Sequence, residues 1–236
     1  MSRKILMILT SHALMGDTGQ ATGFWAEEVA TPYFALVDAG AVVHLASPQG
    51  GAVPVDPGSL KPRGSNAPIV ERFLADGKLQ AELKQTQRAS AVDAGSYDAV
   101  FFPGGHGTMW DLPTDPGVTR AVEAAYAGNK IIATVCHGAS ALVTAKGPDG
   151  LSVVRGVRIN AFTDAEEAEV GLNGVVPFHL ESRLRALGAR FESAPNWAAF
   201  AIHDGRFITG QNPQSSELVA QLVLKALDLV SLRAAA

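Results

Sequence analysis

The run Lys130-Ile131-Ile132-Ala133-Thr134-Val135-Cys136-His137-Gly138 constrains this chain more than any other stretch. It is apolar and β-branched. It ends abruptly in the only cysteine of the sequence, followed by a histidine, a glycine and the helix-forming residues 139–143. Such a run reads as a strand buried on both faces, as in a parallel sheet covered by helices. A strand that turns into a helix at Cys136 has the pattern of a nucleophile elbow, which lifts one side chain out of the core toward a helix N-terminus. Backbone N–H groups there favour thiolate over thiol, so the expectation is an activated nucleophile. A lone cysteine is more often a buried, inert side chain; the strand–Cys–His–Gly–helix context argues otherwise.

The rest of the chain supplies the sheet. Apolar runs at residues 5–10, 41–46, 99–103, 131–135 and 207–210 read as strands, and segments 27–39, 119–127, 180–187 and 215–232 as helices. This alternation predicts one α/β domain over residues 1–236: a flavodoxin-like or Rossmann-like three-layer sandwich with a mostly parallel central sheet. Residues 47–66, rich in Pro and Gly, read as a surface excursion. Residues 151–178 hold a strand-like piece at 157–161, then acids, then Pro177, and read as a small cap excursion over the site.

Bulk properties narrow the function. The 236 residues are 47% hydrophobic and 18% charged, a globular rather than disordered composition. A net charge of −4 gives no electrostatic reason to expect nucleic acid or an anionic membrane as partner. One cysteine excludes an intramolecular disulfide, consistent with a reducing, cytoplasmic setting. Residues 5–9 are too short to span a membrane and lack a small-residue cleavage site after them, so they read as a first strand and not as a signal peptide. The six histidines show no metal-binding spacing, and no metal or other cofactor is predicted.

Ligands of open parallel sheets bind beyond the strand C-termini, where three unusual sequences fall. Phe101-Phe102-Pro103-Gly104-Gly105-His106-Gly107 lacks the residues of a phosphate loop. It is either a tight turn or, beside a nucleophile, an oxyanion hole in which the N–H groups of Gly105 and His137 meet developing charge. Glu27 and Glu28 open the first helix, where acids suit the helix dipole. A carboxyl pressed against Phe24 or Trp25 would instead have a raised pKa and hold a proton, and at most one of the two side chains can face the thiol. Phe162-Thr163-Asp164-Ala165-Glu166-Glu167 fits a helix cap, with Thr163 or Asp164 at the N-cap and Glu166 or Glu167 completing a capping box. It also fits an acid that orients His137.

In combination these motifs resemble the ThiJ/PfpI superfamily, with its class I glutamine amidotransferase-like fold, and within it the heat-shock-type glyoxalase III branch. The resemblance spans essentially the whole chain. It rests on Thr22-Gly23-Phe24-Trp25-Ala26-Glu27-Glu28 ahead of Pro32-Tyr33, Ala46-Ser47-Pro48-Gln49-Gly50-Gly51, and Pro103-Gly104-Gly105-His106-Gly107 with Asp111-Leu112. It continues through Val135-Cys136-His137-Gly138, Phe162-Thr163-Asp164 with Glu166-Glu167, Pro177-Phe178-His179-Leu180-Glu181 and Thr209-Gly210-Gln211-Asn212-Pro213.

The resemblance implies Cys136 as nucleophile with His137 beside it, and Glu28 as a protonated glutamate bonded to the sulfur, leaving Glu27 a bystander. Glu167, or less well its neighbour Glu166, partners the histidine. Gly105 and His137 supply oxyanion N–H groups, and Trp25 and His106 line a substrate pocket. The implied activity is a glutathione-independent conversion of a small 2-oxoaldehyde, methylglyoxal, to lactate, of the D-lactate dehydratase type, without cofactor and in a homodimer. Gln211-Asn212-Pro213 stands where true amidotransferases carry a His-x-Glu pair, which argues against that activity. Rival readings are a holdase chaperone with apolar surface near Trp25, Trp110 or Trp197, a deglycase, and a redox sensor built on Cys136.

Overall fold

In chain order the strands are β1 (Lys4–Ile8), β2 (Val42–Ser47), β3 (Gln87–Arg88), β4 (Ala99–Phe102), β5 (Ile131–Val135), β6 (Arg158–Ile159), β7 (Arg190–Phe191), β8 (Ala201–Asp204) and β9 (Phe207–Gly210). The helices are α1 (Ala26–Asp38), α2 (Pro68–Ala75), α3 (Gly77–Glu82), α4 (Thr108–Asp111), α5 (Pro116–Ala127), α6 (Asp164–Glu169), α7 (Leu180–Ala186) and α8 (Ser216–Ala226). This computed structural model describes residues 2–229. The predicted helical residues 230–232 and the outer residues of the predicted domain, Met1 and 230–236, lie outside the described residues.

Seven strands form one sheet in the order β3-β2-β1-β4-β5-β9-β8, and β6 and β7 form a small second sheet. All pairs are parallel except the β8–β9 hairpin. Successive strand residues point to opposite faces. Ile5, Met7 and Leu9 therefore join a core with α1, α2, α3 and α8, while Leu6 and Ile8 join a core with α5 and α7 on the other face. Burial on both sides explains why these strands read as unbroken apolar runs. The predicted three-layer α/β sandwich is the observed architecture.

The chain runs outward from β1 through β2 to β3, then returns to place β4 on the other side of β1. The two strands that carry the glycine-rich turn and the cysteine are direct neighbours, with Phe102 paired to Thr134. Both segments therefore emerge side by side at the C-terminal edge of the sheet, near its topological switch point.

Local differences from the sequence reading have physical causes. Asp76 caps the end of α2 and the start of α3, accepting from the Leu79 amide at 2.9 Å, so the two helices break one another's periodicity. β3 is two exposed polar residues with no strand pattern. The segment after Cys136 is a 3-10 turn, Cys136–Leu142, rather than an α-helix. All seven of its residues are buried, and a Cβ at Gly138 would stand 2.1 Å from the Phe102 carbonyl oxygen, so the turn winds tightly against β4. Among the described residues, α8 stops at Ala226, followed by Asp228 in left-handed geometry. No helix of the described residues is long and apolar enough to cross a membrane.

Candidate active site

Cys136 has φ +57° and is 3% exposed. A left-handed backbone costs a non-glycine residue about 1–2 kcal/mol, so it persists only where the surroundings enforce it. Here the Thr108 hydroxyl bridges the carbonyls of Gly105 (2.8 Å) and His137 (3.0 Å), and the Ser140 hydroxyl donates to the Thr108 carbonyl at 2.9 Å. The glycine turn and the elbow are thereby sewn into one unit. Gly105 has φ +100°, and a Cβ there would meet the Gly23 carbonyl oxygen at 2.3 Å. Only glycine fits that crossing, and its N–H makes no hydrogen bond among the described residues.

His137 is fully buried beside the thiol, with its Nδ1 3.3 Å from Cys136 Sγ. Its Nε2 lies 2.7 Å from Glu167 Oε2, and His106 Nε2 lies 2.8 Å from Glu167 Oε1. A carboxylate only accepts, so this network assigns a proton to Nε2 of both rings and leaves His137 Nδ1 a bare acceptor aimed at the sulfur. Burial, and next the neighbouring His106, push the His137 pKa down, so the imidazole is neutral and basic at its free nitrogen. Burial pushes Glu167 up, but its interactions with His137 and His106 outweigh that and hold it well below the usual carboxylate range.

The sulfur departs from the sequence expectation. Burial, reinforced by Glu28, pushes the Cys136 thiol well above its ordinary pKa. The short 3-10 turn offers the sulfur only the His137 amide as a lowering influence. The resting group is a thiol whose proton faces a base.

Glu28 approaches from α1. Its Oε2 accepts from the Gly104 amide at 2.7 Å, while Oε1 is buried with no hydrogen bond of ordinary geometry. Burial raises its pKa to about 8, against the lowering influence of the Cys136 thiol and the Gly104 amide. The carboxyl is therefore protonated at neutral pH, and since Oε2 is accepting, the proton belongs on Oε1. Glu27 lines a separate groove between α1 and α8 and does not reach the cavity at Cys136.

On α6 the helix cap and the histidine contact fall to different residues. Thr163 is the N-cap and Glu166 completes the capping box, while the next residue, Glu167, meets the histidines. Glu166 does more than cap. Its Oε2 accepts from the Thr163 amide and hydroxyl, both at 3.0 Å. Its Oε1 accepts from the Trp197 amide (2.9 Å), Gln211 Nε2 (3.0 Å) and Asn212 Nδ2 (2.8 Å). The sequence reading missed this hub, and it missed that His106 shares the Glu167 carboxylate instead of only lining the pocket. The late Gln211-Asn212 pair was the one visible signal.

A cavity of about 70 Å³ opens onto this group. Cys136, His137, Glu28 and Gly105 line its polar side, and Trp25, Phe162 and Trp197 are among its apolar walls. Trp110 stacks on His12 outside this cavity, while Trp25 and Trp197 line it. One donor atom each of His106, His137 and Glu167 lie within 4.8 Å of one another, a spacing at which a metal ion is conceivable. Those atoms are already engaged in the hydrogen bonds above.

Comparisons with known proteins show what the chain as a whole is similar to. A sequence profile of the DJ-1/PfpI family matches residues 20–169. A glutathione-independent glyoxalase of Schizosaccharomyces pombe is 31% identical over 234 residues, covering 94% of this chain and 95% of its own. The X-ray structure of a 24 kDa rapid encystment protein of Francisella tularensis superposes with a TM-score of 0.91 at 36% identity, covering 95% of this chain and 99% of its own. The crystal structure of glyoxalase III from Candida albicans gives 0.87 at 28% identity, covering 95% of this chain and 97% of its own.

Proposed function

Since this chain belongs to the DJ-1/PfpI family, we propose that it is a glutathione-independent glyoxalase that converts methylglyoxal to lactate through a covalent adduct on Cys136. The observation that carries this reading is the meeting, in one small cavity, of a thiol, an imidazole with a bare nitrogen and a protonated carboxyl. The relatives named as glyoxalases support it.

The chemistry follows from those three groups. Cys136 Sγ attacks the aldehyde carbon while its proton passes to His137 Nδ1. The oxygen that gains charge faces the Gly105 and His137 amides, then takes the proton back, giving a hemithioacetal. Glu28, in its ionised form, removes the hydrogen from that carbon and delivers a proton to the neighbouring one, so an enediol becomes a lactoyl thioester. A pKa of about 8 keeps a useful fraction of Glu28 in each form near neutral pH. Water, deprotonated by His137, hydrolyses the thioester, releasing lactate and restoring the thiol. The sum is methylglyoxal plus water to lactate, with no external electron acceptor. Trp25 and His106 wall the substrate. The functional unit in this reading is a cytoplasmic homodimer, which sedimentation of the purified chain checks.

The decisive assay measures lactate from methylglyoxal without glutathione, resolving its enantiomers. Cys136→Ala and Glu28→Gln should each lose at least about a hundredfold. Absence of lactate with folded, reduced wild type, or full turnover by Cys136→Ala, overturns the proposal.

A further inference from the structure

Trp197 has φ +62°, in the left-handed region that bulky side chains rarely adopt. Glycine would relieve that strain at no steric cost, so the fold accepts a penalty to keep an indole at this position. Three contacts hold it. The Trp197 amide donates to Glu166 Oε1 at 2.9 Å, and the indole Nε1–H donates to Glu169 Oε1 at 2.8 Å. The ring meets Phe162 edge-on at 5.7 Å, and Phe162 lies 4.3 Å from the His137 ring. Asn196 Nδ2 donates to Glu169 Oε2 at 2.7 Å, fixing the carboxylate that holds the indole. The indole is thus placed relative to the imidazole by a chain of direct contacts.

The indole lines a cavity of about 70 Å³. Clefts for drug-sized ligands run to about 300–1,000 Å³, so this one takes a fragment of a few heavy atoms. We propose that Trp197 sets the upper size limit of the site, admitting free three-carbon 2-oxoaldehydes and excluding bulkier dicarbonyls and carbonyl adducts carried on macromolecules. The substrate half of this statement rests on the glyoxalase reading; the steric half does not. Glu166 and Glu169 act as positioning residues for the gate, and Trp197 as its specificity determinant.

Two measurements on wild type and Trp197→Gly test it. The first is the ratio of kcat/KM for phenylglyoxal to that for methylglyoxal. It should rise at least about tenfold in the variant, since removing a steric wall commonly shifts discrimination by that much. The second is the labelling rate of Cys136, the only cysteine of the chain, by methyl methanethiosulfonate and by N-phenylmaleimide, followed by intact mass. The wild type should strongly favour the small reagent, and the variant should lose about tenfold of that preference. Glu169→Ala, which keeps the backbone residue unchanged, should move both ratios the same way, and Glu169→Gln, which retains an acceptor for the indole, should restore them. Unchanged ratios in folded Trp197→Gly and Glu169→Ala overturn the gate. A wild type that shows the labelling preference but makes no lactate overturns the glyoxalase reading and leaves the steric gate standing.

Discussion

Glu28 on α1 and Glu167 on α6 flank the same two residues, Cys136 and His137, and are buried to nearly the same degree, 0% and 3% exposed. Their charge states are opposite. Glu28 has one backbone donor and a thiol for company, and burial carries its pKa to about 8. Glu167 suffers the same burial but receives an imidazole N–H on each oxygen, and those interactions hold it ionised. Burial alone therefore does not decide protonation; the supply of donors does. The difference leaves a protonated carboxyl on one side of the sulfur and a negative charge behind the imidazole on the other.

The most damaging way to break this contrast is Glu167→Gln. An amide keeps an acceptor for only one of the two imidazoles and removes the negative charge that would stabilise His137 when it takes the thiol proton. Turnover should fall about 10²–10⁴-fold while the fold survives, read from kcat beside a melting curve. Activity within a few fold of wild type would remove His137 as the base.

Next comes the stability of the Glu28 side. In the unfolded chain this carboxyl ionises near 4.5, and in the folded chain near 8. The folded state is thus fully favoured by the neutral carboxyl below pH 4.5 and loses that advantage as pH climbs toward 8, by up to roughly 1.4 kcal/mol per pH unit. Glu28→Gln mimics the protonated acid and lacks the slope. Its Tm should match wild type at pH 4 and exceed it by several degrees at pH 8. Parallel Tm profiles for the two proteins from pH 4 to 8 are the contrary outcome.

The smallest effect belongs to the bystander. Glu27→Gln, one residue away but in another groove, should leave turnover near wild type and stability within about 0.5 kcal/mol. A large loss there would exchange the roles of the two α1 acids.

How much of this was legible in the sequence depends on the range of the forces involved. The sheet was readable because strands buried on both faces leave unbroken apolar runs, as at Ile131–Val135. The choice of Glu28, Cys136, His137 and Glu167 came from motifs whose order along the chain matches a family pattern. Three features escaped. Glu166 binds Trp197, Gln211 and Asn212 across 31, 45 and 46 residues, and such contacts leave no local periodicity. His106 joins His137 at Glu167 only because β4 and β5 are neighbours. The thiol was expected to be ionised from a helix terminus, whereas the tight, buried turn favours the neutral group.

The cavity draws its walls from Trp25 through Pro213, and this span has a meaning for how the protein is made. Synthesis delivers the elbow cysteine long before Trp197 and Pro213 leave the ribosome, and domains fold as units while the chain is still growing. Until β9 inserts beside β5, Cys136 lacks both the late walls of its cavity and the strand paired with its own. A nascent chain therefore carries an ordinary unactivated thiol, and the complete cavity exists only once the segment through Pro213 has been made.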